Sequence, residues 1–359
     1  MPKAAQLLPK LEDLEFDRGI DLEIFQCPGC GLVQTSGEPV PYYKEVIRAA
    51  GISAEMRAFR SGQFTEFIER YQLRGKRLLE VGCGQGEYLS IFQECGAQTY
   101  GIEASEKSVN FCEASGLVVE QNFIEDSNQV VAGGPFDAFA VLNFMEHWPD
   151  PNATLSGIAN NLVPNGIGLV EVPNFDMILK KNLFTEFISD HIFYFTAESL
   201  ETTLRLNGFE VIQIRPVWYD YILSAVVRRR SPHDVSSFSA AHSNLQDAVN
   251  KFINEGNREK IAIWGAGHQA LATMALLNIG SAISYVVDSA PFKQGRYTPS
   301  SHVPILPPDS LHDDPVGSII IMAAAYSDEI ASIIKQKYSY IKRVAILRED
   351  HLEVVKNDH

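Results

Sequence analysis

Arg77-Leu78-Leu79-Glu80-Val81-Gly82-Cys83-Gly84-Gln85-Gly86 is the stretch on which the fold turns. A short apolar run that ends on glycines at every second position reads as a strand buried on both faces, followed by a tight turn. Glycine there lets the backbone bend sharply and lets another group press against the main chain. The next residues, GEYLSIFQECG (86–96), have helical length and close on a glycine suited to a C-cap. Outward from this unit the pattern repeats. AQTYGIEA (97–104), FDAFAVLN (136–143) and GIGLVEVP (166–173) are further buried strands, and EKSVNFCEASG (106–116) is a further helix. Strands alternating with helices predict crossover units and a parallel sheet, an α/β fold. After the polar stretch RRRSPHDVSSFSAAHSN (228–244) a second such pattern begins. It comprises KIAIWGAG (260–267), HQALATMALLNIG (268–280), SAISYVVDSA (281–290) and GSIIIMAAA (317–325), and predicts a smaller α/β domain.

Composition narrows the function classes. The 359 residues predict two or three compact units, and 45% hydrophobic with 21% charged residues is ordinary for a globular chain. A net charge of −15 argues against nucleic acid as a partner, because phosphate backbones demand a basic surface. No apolar run approaches the roughly 20 residues of a membrane span, and the N-terminal residues lack the apolar stretch of a signal peptide. Five cysteines without regular spacing suit a reducing compartment, so a cytoplasmic location is expected.

Glu80, Gly82, Gly84 and Gly86 form the first loop. Glu103 ends the following strand, where a carboxylate can accept both hydroxyls of a ribose. Phe123, Ile124 and Glu125 at the third strand end offer an edge for an adenine ring, and the fourth strand ends in Leu142-Asn143-Phe144-Met145-Glu146-His147-Trp148-Pro149-Asp150-Pro151, with Asn143 a further candidate. The order E-V-G-x-G-x-G, acidic residue, L-N-x-x-E-H-W-x-D-P resembles class I methyltransferases. The resemblance implies S-adenosylmethionine as cofactor, with the glycines under its methionine part, Glu103 on its ribose and Ile124–Glu125 beside its adenine.

Methyl transfer is a displacement that needs an aligned nucleophile and, for many acceptors, a base. Two histidines near strand ends are candidates. His147 is open to two roles, a packing residue of the cofactor pocket or a base. His191 follows Asp190 in Glu186-Phe-Ile-Ser-Asp-His-Ile-Phe-Tyr194-Phe195, just before a helix that starts near Thr196 with Glu198 in capping-box spacing. A CxxCG leader, a methyltransferase core, an acidic-His-x-x-Tyr-Phe segment and a second glycine-rich α/β domain together resemble the sugar C-methyltransferases of deoxysugar pathways, over about residues 22–350. The resemblance implies a nucleotide-linked ketosugar as partner, natural-product or polysaccharide biosynthesis as setting, and His191 as base with Asp190 and His147 beside it. It also implies substrate contacts from a leader tyrosine, Tyr42 or Tyr43, and from Tyr194. The chain departs from that family at Ile188, where the family has Tyr, and at Asp190, where it has Glu. O- or N-methylation of a sugar or natural product therefore stays open. So does a different class, a NAD-dependent or nucleotide-sensing protein that uses only the second loop.

That second loop is Ile263-Trp264-Gly265-Ala266-Gly267-His268-Gln269, with Asp288 ending the next strand. Gly265, Gly267 and His268 at a helix N-terminus, with Lys293 and Arg296 nearby, suit a substrate's phosphates. A turn with no ligand is the other reading. Cys27 and Cys30 make half a zinc-ribbon set, whereas structural zinc needs four ligands, so no metal is expected. The expected organisation is a cysteine-bearing leader (1–45), a methyltransferase core (46–230), a linker (231–258) and a Rossmann-like domain (259–359), with substrate held between core and C-terminal domain.

Overall fold

The structure, a computed structural model, describes residues 1–4, 8–44, 52–256 and 259–357. The chain divides into two compact units, Met1–Pro232 and His233–His359. The expected boundary at 45/46 lies outside the described residues.

In the first unit a hairpin of β1 (Ile24–Gln26) and β2 (Val33–Thr35) precedes α1 (Ala54–Arg70). The α/β core then runs β3 (Arg77–Val81), α2 (Glu87–Glu94), β4 (Gln98–Glu103), α3 (Glu106–Ala114), β5 (Val119–Gln121), β6 (Phe136–Leu142), α4 (Pro151–Asn160) and β7 (Leu162–Pro173). It closes with α5 (Phe175–Lys181), β8 (Phe193–Tyr194), α6 (Ala197–Leu206), β9 (Phe209–Val217) and β10 (Ile222–Arg229). The main sheet has the order β5-β4-β3-β6-β7-β10-β9; β10 is antiparallel to both neighbours, and the five strands from β5 to β7 are parallel. The chain leaves β3 toward β4 on one side and returns as β6 on the other, so a crevice opens at the carboxyl end of β3. The period-2 rule explains why these strands read as continuous apolar runs. Leu79, Val81, Phe139, Val141, Val170 and Val172 pack with α4 and α6 on one face, whereas Leu78, Ala138, Ala140, Leu142 and Leu169 pack with α1 and α2 on the other.

Caps set the helix starts. The Asp150 carboxylate accepts from the N–H groups of Asn152 and Ala153 ahead of Pro151 at the first helical position. Thr196 caps α6 as expected, but its reciprocal partner is Ser199, not Glu198. The leader is no separate body, because β2 pairs with β8 and so lies beside the Asp190–Tyr194 segment.

The second unit starts with α7 (Ser236–Asn254) inside the stretch expected as a linker. Val249 and Phe252 are buried in the domain core, so this segment is an amphipathic helix of the second unit. Then follow β11 (Ile261–Trp264), α8 (His268–Leu276), β12 (Tyr285–Val287), β13 (Arg296–Tyr297), β14 (Pro304–Leu306), α9 (Ser310–Asp313), β15 (Ser318–Ile321), α10 (Ser327–Lys337), β16 (Arg343–Leu347) and β17 (Leu352–Asn357). The sheet order is β13-β14-β12-β11-β15-β16-β17, parallel except at its two edges. Its switch point is the carboxyl end of β11.

Candidate active site

The first glycine loop uses the freedom its residues provide. Gly82, Gly84 and Gly86 have φ of 71°, 57° and 79°, a left-handed conformation that costs other residues dearly. A Cβ on Gly82 would lie 2.3 Å from the Phe144 ring. Glu103 at the end of β4 is buried, and its two carboxylate oxygens accept from the N–H groups of Gly84 and Ser105, each at 3.0 Å. A carboxylate at this strand end is the group that a ribose hydroxyl would meet. Glu80 is buried on β3 two residues before the loop.

A narrow cavity lies against Gly82 and Glu103 and is walled by Ile102, Phe123, Ile124, Phe144 and Trp148. The Trp148 indole N–H is buried with no hydrogen-bond partner among the described residues. An adenine ring nitrogen is the acceptor such a donor lacks. Carboxylate, apolar slot and orphan donor therefore fit an adenosine, and with it S-adenosylmethionine. Sequence reasoning picked out Phe123 and Ile124 but missed Phe144, Trp148 and Lys44, which line the same cavity. Glu125 does not line it: its carboxylate turns outward to Tyr43 Oη (3.0 Å) and Lys44 Nζ (2.8 Å), and the Lys44 ammonium holds it below the usual carboxylate range. Asn143 sits at φ 52°, donates its backbone N–H to the Glu171 carbonyl, and does not line the cavity either. Gly82→Ala is expected to weaken S-adenosylmethionine binding by about tenfold or more in calorimetric titration, since strain of roughly 1–3 kcal/mol falls on the loop and on Phe144.

The two histidines, 44 positions apart in sequence, meet beside this pocket. Their rings are 4.8 Å apart and nearly perpendicular. His147 Nδ1 lies 2.7 Å from the Asp190 carbonyl oxygen. A carbonyl only accepts, so Nδ1 carries the proton and Nε2 presents its lone pair. Burial lowers the pKa of both imidazoles, and the neighbouring His147 adds to the effect on His191, which falls to about 3. Both rings are therefore neutral near pH 7. Glu146, next to His147 in the chain, is fully buried; burial pushes its carboxyl up to about 8, its Oε1 is 3.9 Å from His147 Nε2, and its Oε2 has no hydrogen-bond partner among the described residues. Asp190 is also buried and accepts from Tyr42 Oη at 2.5 Å, so the leader reaches this centre. Tyr194 is placed otherwise than expected. Its hydroxyl is engaged by the backbone of Ile188, accepting from the N–H at 2.9 Å and donating to the C=O at 3.1 Å, which makes it a brace of the loop.

In the second unit a cleft of about 1440 Å³, open to solvent, gathers Gly265, Gly267, His268, Gln269, Lys293 and Tyr326 at the switch point. Gly265 is required, because a Cβ there would lie 2.5 Å from the Met322 carbonyl oxygen. Burial alone would raise the Asp288 carboxyl, but Lys293 and the N–H groups of Ala290 and Ala266 outweigh it and hold it below its usual range. Lys293 is thus bound to Asp288 at 2.8 Å. Arg296 lies exposed on edge strand β13, away from the cleft, because that strand's side chains face water.

Cys27 and Cys30 stand at the tip of the β1–β2 hairpin, and the N–H groups of Cys30 and Gly29 hold the Cys27 thiol below its ordinary range. Among the described residues, no third potential ligand joins them in a metal-holding group. No helix among them is long and apolar enough to cross a membrane.

The family described as "Methyltransferase domain" matches residues 56–214, and the family described as "C-methyltransferase C-terminal domain" matches residues 228–345. The chain is 23% identical to the C-methyltransferase NovU of Streptomyces niveus, covering 92% of this chain and 86% of that protein. It is 31% identical to a ubiquinone biosynthesis O-methyltransferase of Bordetella avium over 26% of this chain and 41% of that protein. A solved S-adenosylmethionine-dependent methyltransferase from Clostridium acetobutylicum superposes with a TM-score of 0.41 at 13% identity, covering 53% of this chain and 96% of that one.

Proposed function

We infer, from the premise that this chain is a class I S-adenosylmethionine-dependent methyltransferase with a C-methyltransferase C-terminal domain, that it methylates a carbon beside the carbonyl of a nucleotide-linked ketosugar. The observation that supports this most is the facing pair of neutral imidazoles, His147 and His191, next to the cofactor cavity. Bound S-adenosylmethionine supplies an electrophilic methyl group on a cationic sulfonium. The chain's own residues position it: Glu103 and the glycine loop for the ribose and methionine parts, Ile124, Phe144 and Trp148 around the adenine. A carbon nucleophile also requires loss of a proton, and that loss depends on His191. His147, locked by Asp190, and Asp190, held by Tyr42, orient the segment that carries it. Taken by itself, the cleft of the second unit suits a phosphate-bearing group, with Gly265, Gly267 and His268 opening α8 and Lys293 available to a phosphate by exchanging its Asp288 partner.

A nucleotide-linked ketosugar incubated with the protein in deuterated water, S-adenosylhomocysteine replacing the methyl donor, is expected to gain deuterium beside its carbonyl. Mass spectrometry reads the gain. Methyl transfer without any such exchange, at a hydroxyl of the same sugar, would assign the enzyme to oxygen.

A further inference from the structure

We propose that Glu146, His147 and His191 form a binding site for a divalent first-row transition ion, which presents the acceptor's oxygen to the methyl donor. One potential ligand atom from each lies within 4.8 Å of the other two. Donors bound to one ion at about 2.1 Å sit roughly 3–4 Å apart, so small side-chain rotations close the set. Two imidazole nitrogens and one carboxylate oxygen are the donor set of catalytic ions that keep positions open for substrate.

Two observations separate this cluster from a chance grouping. The first is the Glu146 Oε2 atom, buried without a partner among the described residues while its own Oε1 stands 3.9 Å from His147 Nε2, beyond hydrogen-bond reach. A buried carboxylate oxygen left so is what a cation would satisfy. The second is the supporting contact of His147. Metal-bound imidazoles characteristically donate their other ring N–H to a carbonyl or carboxylate, and His147 Nδ1–H donates to the Asp190 carbonyl at 2.7 Å, which turns Nε2 and its lone pair away from that carbonyl and leaves it as the ligand atom. His147 and His191 are only partly buried, so the site keeps a side open toward an acceptor.

This rests on the reading above that the pocket takes a ketosugar, and it refines how the imidazoles act. The ion would hold the carbonyl oxygen together with a hydroxide formed from bound water, whose proton goes to solvent. The C–H bond beside the carbonyl breaks, its proton joins the hydroxide to make water, and its electron pair moves to give an enolate oxygen on the ion. The enolate carbon then forms the new C–C bond as the C–S bond breaks, and S-adenosylhomocysteine leaves. No redox change occurs, so an ion such as Zn²⁺ or Mn²⁺ suffices.

The test is cobalt titration of the full chain after chelation, read by visible absorption. One equivalent of Co²⁺ is expected to bind with ligand-field bands and no thiolate charge-transfer band, and to bind equally well to the Cys27→Ser/Cys30→Ser variant. His147→Ala and His191→Ala are each expected to weaken it at least about tenfold. Glu146→Gln, nearly isosteric, should do the same while keeping S-adenosylmethionine affinity, which reports an intact fold. Loss of Co²⁺ in the cysteine variant, or unchanged Co²⁺ affinity in Glu146→Gln, would overturn the site. Cobalt binding at these three residues with no deuterium exchange in any ketosugar would leave the metal site standing and remove the ketosugar reading alone.

Discussion

His191→Ala is expected to lower kcat by about 10²–10⁴-fold while S-adenosylmethionine affinity stays within about twofold. The asymmetry follows from placement. His191 faces His147 and does not line the cavity against Gly82 and Glu103, so its loss removes proton transfer and leaves donor binding alone. Single-turnover methylation and calorimetric titration read the two effects separately. His147→Ala combines both kinds of damage, because its Nδ1 ties the loop at Asp190 in place. Tyr194→Phe is the matched control: it deletes a hydroxyl that, among the described residues, is engaged with the Ile188 backbone, so a stability loss of about 1 kcal/mol with little change in kcat is expected. A kcat for His191→Ala close to that of the parent would exclude His191 from the chemistry.

The largest stability effect is expected at Arg60, which lies on α1 fully buried and ion-paired to the equally buried Glu171 of β7. Glu171 also accepts from Gln63 Nε2 at 2.5 Å, and Gln63 bonds Ser224 on β10. Burial alone would lower the Arg60 pKa; Glu171 more than offsets it, so the charge is kept. Arg60→Met leaves a carboxylate uncompensated in the core and should cost about 3–5 kcal/mol by urea denaturation. The double variant Arg60→Met/Glu171→Leu should recover most of that loss, because a buried ion pair is worth little more than apolar side chains of similar volume. A cost for Arg60→Met below about 1 kcal/mol would show that the pair is hydrated in solution.

The central β strands were legible because burial on both faces writes an apolar run into each of them, and the glycines mark the turn that follows. The β9–β10 hairpin was not. Trp218, Tyr219 and Asp220 all adopt positive φ at its turn, and none is the glycine or asparagine that usually announces one. Helix α7 hid behind its serine-rich first half, although Leu245, Val249, Phe252 and Ile253 at helical spacing carried the signal. The glycine turn after β3 and the carboxylate that ends β4 were legible from spacing, being local to two strand ends, whereas their expected cofactor came from the resemblance. Lys44, Glu146 and the Arg60–Glu171 pair could not, since they depend on which distant segments the fold brings together. The same limit misplaced Glu125 and Tyr194: their residue types suit a site, but their nearest partners come from the leader and from Ile188.

The claim that matters most is transfer to carbon. Incubation of the full chain with a nucleotide-linked ketosugar and S-adenosylmethionine carrying a ¹³C-labelled methyl group tests it directly by ¹³C NMR of the product. Transfer to carbon predicts a single labelled methyl resonance in the aliphatic region, its protons showing a long-range correlation to a ring carbon. A resonance in the methoxy region instead would contradict it.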